Sequence, residues 1–217
     1  MSLTLYSHPF SSYCWKVLIA LYENGTPFTY RNMEEPGAGE ELRAHWPFGK
    51  FPVLVDNGNA IAETSVIIEY LAMRHPGPHH MVPKAPAEAL EARAMDRFFD
   101  LYVMNPMSKI STDPLRPEAD RDAYGVAEAR KTLDTAYAWL ERAIDGRTWA
   151  ADGEFSMADC SAAPALFYAD WVHPIPEQYR TVRTYRARLL ARPSVARAVD
   201  EARPYRHYFP LGAPDRD

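Results

Sequence analysis

Cysteine is nearly missing from this chain of 217 residues, with only Cys14 and Cys160, far apart in sequence. A chain of this length can bury a core without covalent staples, so no disulfide framework is expected. An excess of basic residues is also missing: 24 Lys and Arg stand against 29 Asp and Glu, for a formal net charge of −5. That balance argues against a protein that binds the nucleic-acid backbone. The arginines that do gather, between Arg180 and Arg206, are interleaved with acidic residues at helical spacing and read as a solvated helix face. No apolar run approaches the roughly 18 residues of a membrane span. The first residues lack the basic and apolar segments of a secretory leader. A cytoplasmic protein with no membrane partner is therefore expected. The histidines provide no metal set, because His79 and His80 are adjacent instead of four apart on a helix. There is no internal repeat and no low-complexity segment.

What is present has ordinary globular composition, 47% hydrophobic and 24% charged, in a length that suits one large domain or two small ones. Leu3-Thr4-Leu5-Tyr6 alternates with period two and reads as a strand. Cys14, Val17, Leu18 and Leu21 then fall at i, i+3, i+4 and i+7, the apolar stripe of a helix, which Asn24-Gly25 closes. Phe28 and Tyr30 mark a second strand, so the chain opens as a β-α-β unit, which implies parallel pairing. A polar stretch rich in Glu and Gly follows with little signal. Val53-Leu54-Val55 and Ala60-Ile61-Ala62 flank Asn57-Gly58, a hairpin signature because a type I′ turn needs positive φ at both central residues. Ile67, Tyr70 and Leu71 continue into a helix that runs to about Arg74.

Prolines dominate the next stretch, from His75-Pro76-Gly77-Pro78 through Pro83 and Pro86, and read as a linker. Beyond it strand signals stop. Met95, Phe98, Phe99 and Tyr102 form one helical stripe, and Val126, Leu133, Tyr137 and Leu140 another. Residues 158–169, 182–190 and 195–202 supply three more helices. A change from mixed α/β to all-helical patterning across a proline-rich segment marks a domain boundary.

Chemistry concentrates in the first part. Ser11 and Cys14 have the spacing of a C-x-x-C redox motif with serine in the leading place. Ser11 falls at the start of the first helix, where free N–H groups favour a thiolate or other anion; it is equally suited to be a simple N-cap. Pro52 must lie at an edge or at the first position of its strand. With a cis bond before it, the Phe51 backbone would turn outward toward a peptide-like ligand, and Lys50 is a candidate carboxylate partner. Glu63-Thr64 lies where a strand meets a helix, a place suited either to carboxylate and ammonium binding or to capping alone. Cys14 sits in the second position of the redox-like motif, yet belongs to the apolar stripe, which favours burial and inertness. Ser156 and Asp159, in Ser-x-x-Asp spacing before an apolar helix, read as a structural capping box.

The series Ser-x-x-Cys, Gly-Lys-Phe-Pro-Val-Leu and Ala-Glu-Thr-Ser-Val-Ile-Ile-Glu-Tyr-Leu resembles the cytosolic glutathione S-transferase superfamily with a serine-type site, over essentially the whole chain. The resemblance implies an α/β thioredoxin-like N-terminal domain (1–76) that binds glutathione, a linker (77–87) and an all-α C-terminal helical domain (88–217) that binds the second substrate. It implies that Ser11, with Ser12 as second choice, stabilises the glutathione thiolate; Tyr6 or Tyr13 could supply a phenol instead. Lys50 would meet the glycyl carboxylate, Phe51 beside cis Pro52 would pair with the cysteinyl backbone, and Glu63 and Thr64 would hold the γ-glutamyl end. Thr64 and Phe51 depart from the commoner serine and small aliphatic residue, with the hydroxyl and the backbone bonds retained. Tyr102, Met107, Tyr168 and Trp171 are candidates for the second-substrate pocket, together with Met104, Tyr205, Tyr208 and Phe209. The implied function is conjugation of glutathione, as co-substrate, to a small hydrophobic electrophile, a detoxification reaction, by a homodimer. The alternatives are a glutathione-dependent isomerase or peroxidase, or a non-catalytic ligand-binding member.

Overall fold

A computed structural model describes residues 3–151 and 153–217; the expected domain ranges also include residues 1, 2 and 152, which lie outside the described residues. Four strands form one mixed sheet in the order β2-β1-β3-β4. The central β1 (Leu3–Ser7) pairs in parallel with β2 (Thr29–Asn32) and antiparallel with β3 (Val53–Asp56), which in turn pairs antiparallel with β4 (Asn59–Ile61). Asn57 and Gly58 adopt φ of 48° and 88°, the positive values the tight hairpin demands.

Helix α1 (Ser12–Glu23) is apolar nearly all round and is correspondingly buried on both sides. Cys14, Val17, Leu18 and Leu21 pack with Leu3, Leu5, Leu54, Ile67 and Leu71. Trp15, Ile19 and Ala20 face the other way, into the helical core. Asn24 caps its C-terminus and Gly25 comes next at φ 57°. The Glu- and Gly-rich stretch contains α2 (Ala38–His45), which the sequence pattern did not reveal. Only Ala38 and Leu42 of this helix are buried, so it has too few apolar positions to show a period. Helix α3 (Thr64–Arg74) completes the thioredoxin-like part.

All remaining elements are helical. The stretch expected as linker, 77–87, is shorter than anticipated, because α4 (Pro86–Phe98) starts on Pro86. Proline is tolerated in the first turn, where its missing N–H would have no partner anyway. A π-helical turn, Phe99–Met104, leads directly into α5 (Asn105–Thr112), a helix the Asn105-Pro106 pair concealed. The π turn breaks the stripe anticipated over Met95, Phe98, Phe99 and Tyr102. Met95 and Phe99 are buried, but the wider turn rotates the residues beyond them, so Val103 and Met104 enter the core and Tyr102 is left 53% exposed. Helices α6 (Ala123–Ala143), α7 (Met157–Val172), α8 (Arg180–Leu190) and α9 (Pro193–Ala202) complete the bundle, and a 3-10 turn, Arg203–Tyr208, leads into the final segment. Among the described residues no helix is long and apolar enough to cross a membrane.

The late arginines are not a merely solvated face. Arg192 makes a two-pronged bond to Glu23 of α1 at 2.7 and 2.6 Å, and Arg188 donates to the Thr148 carbonyl at 2.6 Å. They staple α8 and the start of α9 to elements distant in sequence.

Every residue of α7 is buried, and this central helix depends on its cap. Asp159 Oδ2 accepts from the Ser156 N–H at 2.9 Å, while Oδ1 accepts from the Ala150 N–H at 2.9 Å and the Tyr185 hydroxyl at 2.6 Å. The Ser156 hydroxyl accepts from the Ala158 N–H, and the capping box is complete. Burial pushes the Asp159 carboxyl up to about 6, although these bonds oppose the shift. Asp159→Ala would take the acceptor from four buried donors, the Ser156 and Ala150 N–H groups and the Ser156 and Tyr185 hydroxyls. It should lower the unfolding free energy by about 3–5 kcal/mol, against about 1 kcal/mol for Tyr185→Phe. Urea unfolding of both variants checks the order, and equal midpoints would contradict it.

Candidate active site

The turn that joins β1 to α1 is held from three sides. Trp15 Nε1 donates to the Pro9 carbonyl at 2.6 Å, Tyr168 donates its hydroxyl to the Phe10 carbonyl at 2.9 Å, and the Phe10 N–H donates to His8 Nδ1 at 3.1 Å. Ser11 is the N-cap of α1, its hydroxyl oxygen accepting from the Cys14 N–H at 3.3 Å. The cap uses a lone pair, and the hydroxyl hydrogen can turn to the Cys14 sulfur or to a ligand. Cys14 is fully buried and its thiol is pushed up by burial, so its surroundings oppose thiolate chemistry.

Two neighbouring chambers open on either side of this turn. The larger, about 530 Å³, is lined by the sequence candidates Lys50, Phe51, Pro52, Glu63 and Thr64, together with Tyr13, Trp46, Ser65, Arg97, Asp100 and Asn105. The Phe51–Pro52 peptide is cis, and Pro52 is buried immediately before β3. Glu63 has φ 67°, a costly conformation for a residue with a Cβ, and it is held there at the entrance to α3. Two cations (Lys50, Arg97) and two carboxylates (Glu63, Asp100) share the walls. The smaller chamber, about 210 Å³, is lined by Ser11, Ser12, Met107 and Tyr168 with Phe10, Ser108, Tyr208 and Phe209. The consecutive residues Ser12 and Tyr13 line different chambers.

Not every candidate is brought here. Tyr102 lies in a separate apolar groove with Phe98 and Trp139, carried there by the π turn. Trp171 packs behind the small chamber, 5.1 Å from Phe209 and 4.7 Å from Phe167 between ring centroids, and is not among its lining residues. Met104 is fully buried and Tyr205 accepts from Asn32 Nδ2, away from the chamber. Tyr6 has its hydroxyl on Glu41, on the far side of the sheet.

Tyr13 was only a competitor in the sequence, and its partner Asn105 was not foreseen. Its hydroxyl donates to Asn105 Oδ1 at 3.0 Å, across from α1 to α5. Burial, and next the Asp100 carboxylate, push the phenol up to about 12, so it stays a hydrogen-bond donor at neutral pH.

Beneath the larger chamber lies a buried charge cluster. The Lys16 ammonium is fully buried on α1 and lies 2.8 Å from both Asp100 oxygens and 2.9 Å from Asp96 Oδ1. The Ser65 hydroxyl donates to Asp96 Oδ2 at 2.5 Å, and Ser161 of α7 donates to Asp100 Oδ1 at 3.1 Å. Burial raises the Asp96 carboxyl, with Lys16 opposing. A lysine inside the apolar run of α1, and aspartates four apart on one face of α4 and the π turn, were the legible signals. Among the described residues, no group of three or more His, Cys, Asp or Glu side chains could hold a metal ion.

Comparison with known proteins gives the same architecture a family. Residues 5–79 match the model of the glutathione S-transferase N-terminal domain, and residues 123–188 that of the C-terminal domain. The chain is 31% identical over 169 residues to the protein of Oryza sativa subsp. japonica named "Probable glutathione S-transferase GSTU1", covering 74% of this chain and 71% of that protein. A stringent starvation protein A homolog of Coxiella burnetii is 26% identical over 202 residues, 92% of each chain. A glutathione S-transferase from Methylobacterium radiotolerans, solved in complex with glutathione sulfonate, superposes with a TM-score of 0.78 at 27% identity, covering 92% of this chain and 95% of that one. The chain belongs to the glutathione S-transferase family, with a thioredoxin-like N-terminal domain and an all-α C-terminal domain.

Removing Lys16 strands two carboxylates in a dry interior. Lys16→Met should cost about 3–5 kcal/mol of stability, and the triple change Lys16→Met, Asp96→Asn, Asp100→Asn should regain most of it. Denaturant midpoints decide this; a triple variant no better than the single one would mean that the cluster's hydrogen bonds matter more than its charge balance.

Proposed function

We propose that the chain binds glutathione in the larger chamber and presents its sulfur at the Ser11–Tyr13 turn to a small electrophile in the smaller one. The observation that carries this reading is the convergence of Lys50, Phe51, Pro52, Glu63 and Thr64, from separate stretches of sequence, onto one cleft beside the α1 N-terminus. Glutathione is a zwitterion with two carboxylates and one ammonium, and the cleft walls carry both signs. Lys50 suits the glycyl carboxylate and Glu63 the γ-glutamyl ammonium, while Thr64, at the first position of α3, offers a hydroxyl and the helix N–H groups to the γ-glutamyl carboxylate. The exposed Phe51 backbone suits pairing with the cysteinyl residue. The domain division that goes with this role is 1–76 for glutathione and the helical remainder for the electrophile, with the linker ending at 85.

At the turn the thiol gives its proton to water, and the thiolate sulfur bonds to the electrophilic carbon. It either displaces a leaving group that departs with its bonding electron pair or adds to a polarised double bond whose electron pair takes a proton from water. The Ser11 hydroxyl, still able to donate, stabilises the thiolate, with Ser12 beside it. The Tyr13 phenol, held protonated and oriented by Asn105, is a second donor of the right kind. Cys14 supports helix packing and takes no part. The electrophile chamber is small beside the roughly 300–1,000 Å³ of drug-sized sites, so a compact substrate fits best. Phe10, Met107 and Phe209 give it an apolar side, and Ser12 and Ser108 a hydroxyl side. Addition and release of glutathione, as in an isomerase, or reduction of a peroxide would use the same geometry. A match over 92% of each chain to a stringent starvation protein A homolog, whose name states no glutathione chemistry, leaves a non-catalytic ligand-binding role as the second reading. The exposed groove of Phe98, Tyr102 and Trp139 supports assembly as a homodimer, which sedimentation tests directly.

Calorimetry with glutathione is the first test, followed by assays of aryl halide conjugation, maleyl isomerisation and hydroperoxide reduction. Glu63→Gln and Thr64→Ala should each weaken glutathione about tenfold. Ser11→Ala should leave binding nearly intact and slow turnover about a hundredfold, with Tyr13→Phe measured beside it to apportion the sulfur contact. Because burial and the Asp100 carboxylate push the Tyr13 phenol up to about 12, the ionisation of the bound thiol seen in the rate near neutral pH should persist in Tyr13→Phe. Glutathione binding with background rates in all three assays would favour the non-catalytic reading, and no binding would overturn the proposal.

A further inference from the structure

His8 follows β1 directly and holds the turn that carries Ser11 at several points. Its carbonyl accepts from the Ser11 N–H at 3.0 Å, and its own N–H donates to the Cys14 sulfur at 3.5 Å. Its ring Nδ1 accepts from the Phe10 N–H at 3.1 Å, which requires that nitrogen to be bare. The ring hydrogen then belongs on Nε2, and Nε2 lies 3.3 Å from Glu34 Oε1. Glu34 stands between β2 and α2, where its N–H donates to Asn32 Oδ1 at 3.1 Å. Hydrogen bonds from Tyr208 and then from His8 hold its carboxyl below the usual range, so it faces the ring as a carboxylate. A carboxylate at one ring nitrogen and a backbone N–H at the other select the same tautomer.

The ring is also clamped from the sides. It is 14% exposed, with Tyr205 edge-on at 5.0 Å and Tyr208 edge-on at 5.7 Å between ring centroids, and Phe51 at 6.5 Å. Glu34 Oε1 accepts the Tyr208 hydroxyl as well, at 2.7 Å. The imidazole thus stands between Phe51 of the larger chamber and Tyr208 of the smaller one, and lines neither. Its reach into the site is through the backbone. The bond to the Phe10 N–H fixes the Pro9–Phe10 peptide, and Ser11 is attached through the next one. A bond from a side chain to the N–H two residues on is what asparagine makes in an Asx turn; here a ring makes it, and a second residue holds the ring. Precision matters at this place, because a catalytic donor misplaced by about 1 Å can lose about a hundredfold in rate.

We propose that His8 and Glu34 are positioning residues for the sulfur contact: the Glu34 carboxylate fixes the imidazole with its hydrogen on Nε2, and the bare Nδ1 fixes the turn that aims the Ser11 hydroxyl. The role rests on the reading that glutathione presents its sulfur at this turn. Steady-state kinetics of His8→Asn, His8→Gln and Glu34→Ala test it, in whichever glutathione assay the chain supports. Asparagine places an acceptor where Nδ1 stands and should keep kcat near that of the unaltered chain. Glutamine keeps the bulk and a donor for Glu34 but has no acceptor at that place. It should lower kcat about tenfold with the KM for glutathione unchanged. Glu34→Ala should lower kcat about fivefold, and much less in the His8→Asn background, where no tautomer is left to fix. Nitrogen NMR of the ring needs no turnover: a bare Nδ1 and a protonated Nε2 are expected, and a hydrogen on Nδ1 instead would overturn the proposal. So would equal losses of kcat in His8→Asn and His8→Gln, or no loss in His8→Gln. Equal drops for Glu34→Ala in both backgrounds would overturn the part given to Glu34. If glutathione binds without turnover, the thiolate fraction of the bound tripeptide, read by ultraviolet absorbance, takes the place of kcat, and it should fall in His8→Gln and not in His8→Asn. An unaltered chain that binds no glutathione overturns the function first, and this role with it, whatever the ring spectrum shows.

Discussion

The Lys16 ammonium has no access to water, and much of the arrangement around it is a consequence. A buried ammonium is tolerated only with close carboxylates, and those it has come from the other domain, Asp96 on α4 and Asp100 in the π turn. The carboxylates in turn need donors, which Ser65 of α3 and Ser161 of α7 provide. One desolvated charge thus ties together α1, α3, α4 and α7. The contact is polar and directional, so it sets the angle of one domain against the other more narrowly than apolar packing alone would. Asp100 and Ser65 also line the larger chamber, so the groups that dock the domains shape the floor of the candidate site.

The π-helical turn belongs to the same logic. An inserted residue in a helix rotates everything after it, and here the rotation brings Asp100 onto Lys16 while α5 swings Asn105 toward Tyr13 and Met107 toward Ser11 and Ser12. Both chambers therefore have a wall whose position depends on this turn. Its other effect is to expose Tyr102 beside Phe98 and Trp139, which become a surface feature instead of pocket lining.

The β1–α1 turn is comparably over-determined. Its carbonyls are held by Trp15 and Tyr168 and its N–H groups by His8 and the Ser11 cap, with Phe10 wedged among Tyr168, Trp171 and Phe209. A turn fixed in this way can present hydroxyls with little reorganisation, which is what stabilising a thiolate requires. Ser11 acts as the cap of α1, which is compatible with the thiolate contact proposed for it.

Local rules were enough for most of the chain. The alternation of β1, the apolar stripe of α1, the Asn57-Gly58 hairpin, the capping box at Ser156 and the change to helices after the prolines are short-range patterns, and each appears where its residues stand. So do Lys50, Phe51, Pro52, Glu63 and Thr64, because strand and helix ends are set by neighbouring residues. Short-range patterns could not reveal α2, with two buried residues, or α5, behind a proline, or the register change of the π turn. They also could not separate Tyr102 from Met107 and Tyr168, since one extra residue per turn decides which way a helix faces. The late arginines looked solvated because their partners, Glu23, Thr148 and Asp170, lie far away in the chain. The sequence by itself determined most of the elements and which residues stand at their ends. Only tertiary structure decided that Ser12 and Tyr13 face different chambers and that a lysine in an apolar helix is a buried joint, because both depend on what packs from the other domain.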